Sequence, residues 1–234
     1  MNHFNPELPV NTSKVEIRPV GNQLGIFSLG YFAAGSIVFT ESVSCSYTLT
    51  SKDAANPASD ACFFVREVLQ SPRTTGKKFF SLGLKSIEGV LEIPPNEDKY
   101  FLKKIAKKHR VSYDKVLEIW RVICTFNVKM YYIPHQHNIP KVRLQLSKLF
   151  NYTNHHCAPN AEGICQFSDS DSFSKPRASV RAIRDIVPGE EVTFSYIDEA
   201  LLLHGVEARR KYLWDLFGFR CQCEKCVSEA SGVY

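Results

Sequence analysis

The stretch Asn154-His155-His156-Cys157-Ala158-Pro159-Asn160 gathers hydrogen-bonding and metal-binding side chains within seven residues of a proline-stiffened loop. By itself it admits several readings. Cys157 as a nucleophile with His155 as its base is disfavoured, because residues two apart on an extended loop rarely reach that geometry. A buried, hydrogen-bonded His155 is the ordinary alternative. The decision therefore depends on what surrounds this loop in the chain.

Downstream lies Cys221-Gln222-Cys223-Glu224-Lys225-Cys226. A structural zinc site takes four tetrahedral ligands, and this tail supplies three thiolates. The alternative is a cysteine-rich turn without metal. The fourth ligand would come from Cys45, Cys62, Cys124, Cys157, Cys165 or a histidine, and the spacing does not choose among them. Between the two motifs runs Val187-Pro188-Gly189-Glu190-Glu191-Val192-Thr193-Phe194-Ser195-Tyr196, a turn followed by a strand, in which Tyr196 alone would pass for a core or edge tyrosine.

Composition sets the outer bounds. The chain has 234 residues, 44% hydrophobic and 23% charged, which is globular usage and excludes disorder as the main state. No apolar run approaches the ~18 residues of a membrane span, and residues 1–10 lack the pattern of a secretory signal. Eight cysteines without a secretory signal favour metal ligation over crosslinks. The net charge is +5, and residues 97–115 alone contribute +4, with seven Lys/Arg against three acids. A solvated helix face is the plain reading of that run. Few aromatics interleave with it, so direct nucleic-acid binding is disfavoured.

Outward from the motifs, the pattern predicts strands over 15–17, 25–29, 37–40 and 45–49. A helix follows over 61–70, capped by Asp60 and stopped by Ser71-Pro72. Asn96 is placed to cap a helix running through Lys108, and Ser112 to cap a longer one holding Val116, Leu117, Ile119, Trp120 and Ile123. Further strands are expected over 163–167, 178–183 and 191–196, then a helix over 206–217 ending at Gly218. Cys45, Cys62, Cys124 and Cys165 read as small buried hydrophobes, and Trp120 and Trp214 as core. His135-x-His137 reads as a solvent loop.

Taken together and in this order, the motifs resemble those of the SET-domain protein lysine methyltransferases, over nearly the whole chain. Residues 21–28 are similar to the family's glycine-rich opening, with Gln23 where a second glycine is usual, and residues 34–38 to the turn and strand after it. Residues 154–160 resemble its asparagine-histidine-x-cysteine-x-proline-asparagine signature, with His156 in place of the usual serine. Residues 188–196 resemble the strand ending in the catalytic tyrosine, and residues 218–226 the post-SET zinc segment. The helical insert and residues 122–127 resemble the SMYD branch. Residues 41–95 carry no zinc-finger cysteine array, and no helical-repeat domain follows the last cysteines, so the chain reads as a minimal SMYD-like SET protein.

The resemblance implies an α+β fold of small twisted sheets around a threaded C-terminal segment, with a helical insert and a post-SET zinc site. It divides the chain into an N-terminal SET segment (14–50), a variable insert (51–95), a helical insert (96–150), a C-terminal SET segment (151–200) and a post-SET segment (201–228). It implies S-adenosylmethionine held by Asn22, Gln23, Leu24, Gly25, Asn127, Asn154, His155, Tyr196 and Phe219. It further implies Tyr196 as the catalytic residue, Phe194 and Phe217 in the lysine channel, and one structural zinc ion on Cys157, Cys221, Cys223 and Cys226. The implied activity is methyl transfer to lysine in a histone or non-histone protein, in the nucleus or cytoplasm. An inactive SET fold serving as a peptide- or chromatin-binding adaptor is the first alternative, and Gln23 is the residue that favours it. A zinc-stabilised nucleic-acid binder using residues 99–115 ranks below both.

Overall fold

The computed structural model describes residues 14–21, 23–43, 45–50, 53, 58–82, 94–126, 128–132, 141–166 and 177–232. Asn22, Asn127 and the His135-x-His137 pair lie outside the described residues, as does the side chain of Cys45. The chain divides into two compact units, one formed by residues 1–42, 152–167 and 175–234, the other by residues 43–151 and 168–174.

The first unit is built from two small sheets and the C-terminal helices. β1 (Val15–Val20) and β2 (Gln23–Ser28) form a hairpin, longer than the sequence pattern suggested, in register from Val15–Ser28 to Val20–Gln23. Gln23 opens β2 without a positive φ, so its position does not demand a glycine. β10 (Glu191–Phe194) lies between β2, to which it is antiparallel, and β7 (Asn154–His155), to which it is parallel. A late strand thus joins an N-terminal hairpin to the mid-chain loop. The second sheet has the order β3 (Ile37–Ser42), β9 (Arg177–Ala182), β8 (Ala161–Gln166), all antiparallel.

In the second unit β4 (Cys45–Thr48), β6 (Lys141–Leu146) and β5 (Val128–Tyr132) form an antiparallel sheet in the order β4-β6-β5. Helices α1 (Asp60–Gln70), α2 (Lys77–Ser81), α3 (Asn96–His109) and α4 (Tyr113–Phe126) complete it. α1 starts where expected, but Ser59 rather than Asp60 occupies its cap position, with no capping bond of its own. Instead Asp98 accepts from the Ser59 amide at 2.7 Å, from the Ser59 hydroxyl, and from Trp120 Nε1 at 3.1 Å. These bonds compensate for burying the Asp98 carboxylate. Asn96 proves to be the first helical residue, with Pro95 at the cap. Ser112 does cap α4, accepting from the Lys115 amide at 3.3 Å. Trp120 is core and Cys62 fully buried, as expected; Cys124 and Cys165 are only partly covered.

Back in the first unit, α5 (Glu199–Leu202), α6 (Val206–Phe217) and α7 (Glu224–Ser231) carry the tail. The expectation that Trp214 is core is wrong: it is 62% exposed, because α6 buries only Arg209, Arg210 and Leu213. None of the described helices is long and apolar enough to cross a membrane.

Candidate functional site

Gly218 ends α6 in the left-handed conformation, φ 73°, with its amide donating to the Trp214 carbonyl at 3.0 Å. A side chain would strain that backbone, and the reversal brings Phe219 and Cys221 back toward the body of the unit. Cys223 then occupies the cap position of α7 and Cys226 falls in that helix's first turn. The mid-chain loop supplies Cys157 from a position 64 residues earlier than Cys221.

The sulfurs of Cys157, Cys221, Cys223 and Cys226 all lie within 4.8 Å of one another. Cys157 Sγ is 3.5 Å from Cys226 Sγ and 3.9 Å from Cys221 Sγ. Tetrahedral zinc with bonds of about 2.3 Å places its sulfurs about 3.8 Å apart. The quartet fits that ion.

His155 joins this quartet to Tyr196. The Tyr196 amide donates to His155 Nδ1 at 3.0 Å, which leaves the ring proton on Nε2, 3.2 Å from Cys157 Sγ. Burial holds the His155 pKa down at about 4, so the ring is neutral at pH 7 and the tautomer follows from its partners.

Tyr196 sits just beyond β10 rather than on it, in a bend closed by Ser195, whose hydroxyl donates to the Ile197 carbonyl at 2.7 Å. Its own hydroxyl donates to the Thr153 carbonyl at 2.9 Å. Burial raises its pKa, so the phenol is un-ionised at neutral pH. Around its ring stand Phe217 at 5.2 Å, His155 at 5.4 Å, Phe194 at 5.5 Å and Phe219 at 6.2 Å between centroids. The channel residues and the tyrosine expected from sequence are therefore brought together.

The expected cofactor residues fall on the adjoining sheet. Asn154 Nδ2 donates to the Leu24 carbonyl at 3.0 Å and to Glu191 Oε1 at 2.7 Å. A Cβ on Gly25 would stand 2.4 Å from Glu191 Oε1 and 2.9 Å from Asn154 Nδ2, so only glycine allows this packing. Gln23 and Leu24 are exposed beside it. His155 and Phe219 face one another at 6.1 Å.

Three contributors escaped the sequence reading. Glu191 anchors Asn154, as above. Asn160 donates to Glu190 Oε1 at 2.9 Å and to the Glu191 carbonyl at 2.7 Å, and accepts from the Thr193 amide at 2.8 Å. Buried and bonded through both amide atoms, it clamps β10 to the loop. Thr153 offers the carbonyl that the Tyr196 hydroxyl uses. Asn160 was in plain view as the last residue of the signature.

A family model described as the SET domain matches residues 23–197. Histone-lysine N-methyltransferase ATXR2 of Arabidopsis thaliana is 40% identical over 80 residues, which are 34% of this chain and 15% of that protein. Histone-lysine N-methyltransferase SMYD3 of Homo sapiens is 38% identical over 76 residues, 32% of this chain and 15% of that protein. This chain thus spans only a small part of the length of these relatives. The crystal structure of the SET domain of LSMT bound to lysine and AdoHcy has a TM-score of 0.52, covering 91% of this chain and 54% of that one at 11% identity, a likeness of fold. With a match extending over more than half of its length and a sheet arrangement to support it, this chain belongs to the SET-domain family and has SMYD proteins among its relatives.

Proposed function

We propose that this protein is an S-adenosylmethionine-dependent protein-lysine N-methyltransferase with Tyr196 as its catalytic residue. The observation that carries the reading is the un-ionised Tyr196 hydroxyl, fixed on the Thr153 carbonyl within a ring of Phe194, Phe217, Phe219 and His155. Such a site orients, rather than extracting a proton: its hydroxyl is spent as a donor, while an oxygen lone pair remains available beside the reacting groups. The cofactor supplies a methyl on a positively charged sulfur. Relatives named as lysine methyltransferases and a neighbouring structure bound to AdoHcy support this choice of donor.

The acceptor amine must be neutral to attack. A free lysine with pKa about 10.4 gives up about 4.6 kcal/mol to lose its proton at pH 7. Phe194 and Phe217 contribute by excluding water, which lowers the amine's pKa. Phe194 carries no hydroxyl to anchor a channel water, so methylation proceeds beyond one methyl. Gln23–Gly25 and Asn154 form the wall toward the cofactor, and His155 and Phe219 offer rings for its base. Cys157, Cys221, Cys223 and Cys226 would hold a zinc ion, and that tie between the tail and the mid-chain loop would keep Phe217 and Phe219 over Tyr196.

The test uses the zinc-loaded chain, methyl-labelled S-adenosylmethionine and a cell lysate as acceptor, with methyl-lysine identified by mass spectrometry. Tyr196→Phe is expected to lower turnover at least ~100-fold, as loss of an orienting hydrogen-bonding group does, while calorimetric cofactor affinity stays within a few-fold. Label on no lysine, or full turnover in Tyr196→Phe, would overturn the reading. Absence of cofactor binding in the unsubstituted chain would favour the adaptor.

A further inference from the structure

Two adjacent arginines on α6 are buried, and neither belongs to a motif that pointed to the site: Arg209 is 1% exposed and Arg210 7%. A guanidinium keeps its charge in any protein interior, so each must be met by acceptors. Arg210 meets backbone and one acid: its Nε donates to the Cys221 carbonyl at 3.1 Å, its Nη2 to the Cys226 carbonyl at 3.4 Å, and its Nη1 lies 3.6 Å from Glu207 Oε1. Arg209 differs in kind. Its Nη1 donates to the His204 carbonyl, and its Nη2 reaches both Glu229 Oε2 at 2.9 Å and Cys226 Sγ at 3.5 Å. Its Nε–H has no acceptor among the described residues.

A neutral thiol is a weak acceptor, and Glu229, partly exposed, is scant compensation for a charge so deeply buried. A thiolate is a different matter. Four thiolates around one divalent zinc would leave the cluster with two negative charges, and Arg209 sets a positive charge against one of its sulfurs. From this we propose that Arg209 is a positioning residue of the metal centre, holding the Cys226 sulfur in place to ligate and, through Glu229, fastening α7 to it. The inference rests on the zinc reading above. A sulfur fixed by a charged N–H swings away from the ion less readily, so release of the ion is slowed.

Zinc transfer from the loaded full-length chain to a chromophoric chelator, and the spectrum of the cobalt(II)-substituted chain, test this. Arg209→Met is expected to release zinc ~10–100-fold faster, the usual consequence of removing a hydrogen-bond partner of a ligand. Its sulfur-to-cobalt charge-transfer band should move to longer wavelength, because the lone pair is no longer stabilised by the N–H. Arg209→Lys should fall between, since one ammonium cannot serve His204, Glu229 and Cys226 together. Glu229→Gln, which keeps the N–H···S contact, should leave the band in place and the rate within about threefold. A parental band and rate in Arg209→Met would overturn the proposal. So would a Glu229→Gln variant that reproduces Arg209→Met in both measurements, since the ion pair would then be the whole role. Should Arg209→Met not fold, an unshifted band in Arg209→Lys would be equally fatal. Failure of the unsubstituted chain to take up metal on its four thiolates would bring down the zinc reading and this inference with it, whereas normal uptake with an inert Arg209 defeats this inference alone.

Discussion

In the second unit, the interior that holds Trp120 is rich in hydrocarbon: Phe63, Phe64, Val65, Leu102, Ile105, Ile119 and Ile123 are all buried, and the buried Asp98 carboxylate is met by Ser59 and Trp120. Around Cys157, the buried cluster of the C-terminal segment comprises Ile197, Leu213 and three cysteines, with aromatic rings only partly covered against it. Each large apolar side chain fully removed from water contributes about 1.5–3 kcal/mol. The first interior can hold itself together on that basis. The second holds too few such residues, has two charged guanidiniums inside it, and gathers four cysteine sulfurs within 4.8 Å of one another, a set that fits a metal. The difference teaches where each part should prove vulnerable: one to lost volume, the other to loss of the ion that its sulfurs would hold.

Removing the metal should therefore produce the largest effect. A structural zinc contributes on the order of 10 kcal/mol to the fold around it. Chelation of the zinc-loaded chain is expected to abolish hydrogen-exchange protection in α7 and to weaken S-adenosylmethionine binding, while α1, α3 and α4 keep theirs. An α7 that stays protected after verified loss of metal would erase the distinction drawn above.

The complementary cut is Leu102→Ala, at a fully buried position of α3. Emptying that volume should cost about 2–5 kcal/mol, read from denaturant unfolding. The transfer of zinc to a chelator in the native protein should not change. A faster release would mean that the two interiors are less separate in their energetics than their composition suggests.

How far the sequence already showed this division varies with the residue. α1 and α4 were legible because their signals are local: an apolar face, a stop at Ser71-Pro72, a cap at Ser112. β6 was missed although Val142, Leu144 and Leu146 alternate in sequence with Lys141, Arg143 and Gln145, the period of a strand. The zinc ligands and Tyr196 were legible only through a family likeness, since no spacing rule selects Cys157 from five candidate cysteines. Arg209 and Arg210 were illegible for a physical reason: arginine reads as surface, and only the fold shows that backbone carbonyls and, for Arg209, a cysteine sulfur meet them. Trp214 failed in the opposite sense. Apolar residues occupy all sides of α6, so its periodicity could not say which side is inside.

The smallest expected effect sharpens the comparison with a charged group in the second unit. Burial works to raise the Asp53 pKa, but hydrogen bonds from Tyr47, Thr50 and Arg66 outweigh it and hold the carboxyl at about 2. In the unfolded chain an aspartate takes up its proton near pH 3.9. Between those values the unfolded state binds more protons, so the stabilisation is complete above pH 4 and is lost as pH falls toward 2. Allowing for solvent screening of the Arg66 partner, the loss amounts to about 1 kcal/mol. Asp53→Asn should remove that part of the acid dependence while lowering stability at pH 7 by a similar amount, measured by unfolding at fixed pH. Thiolate ligation is lost at higher pH than this, as protons compete for the sulfurs. Acid titration followed by exchange should accordingly melt α7 well before the contribution of Asp53 declines, and the reverse order would mean that the tail is held by packing after all.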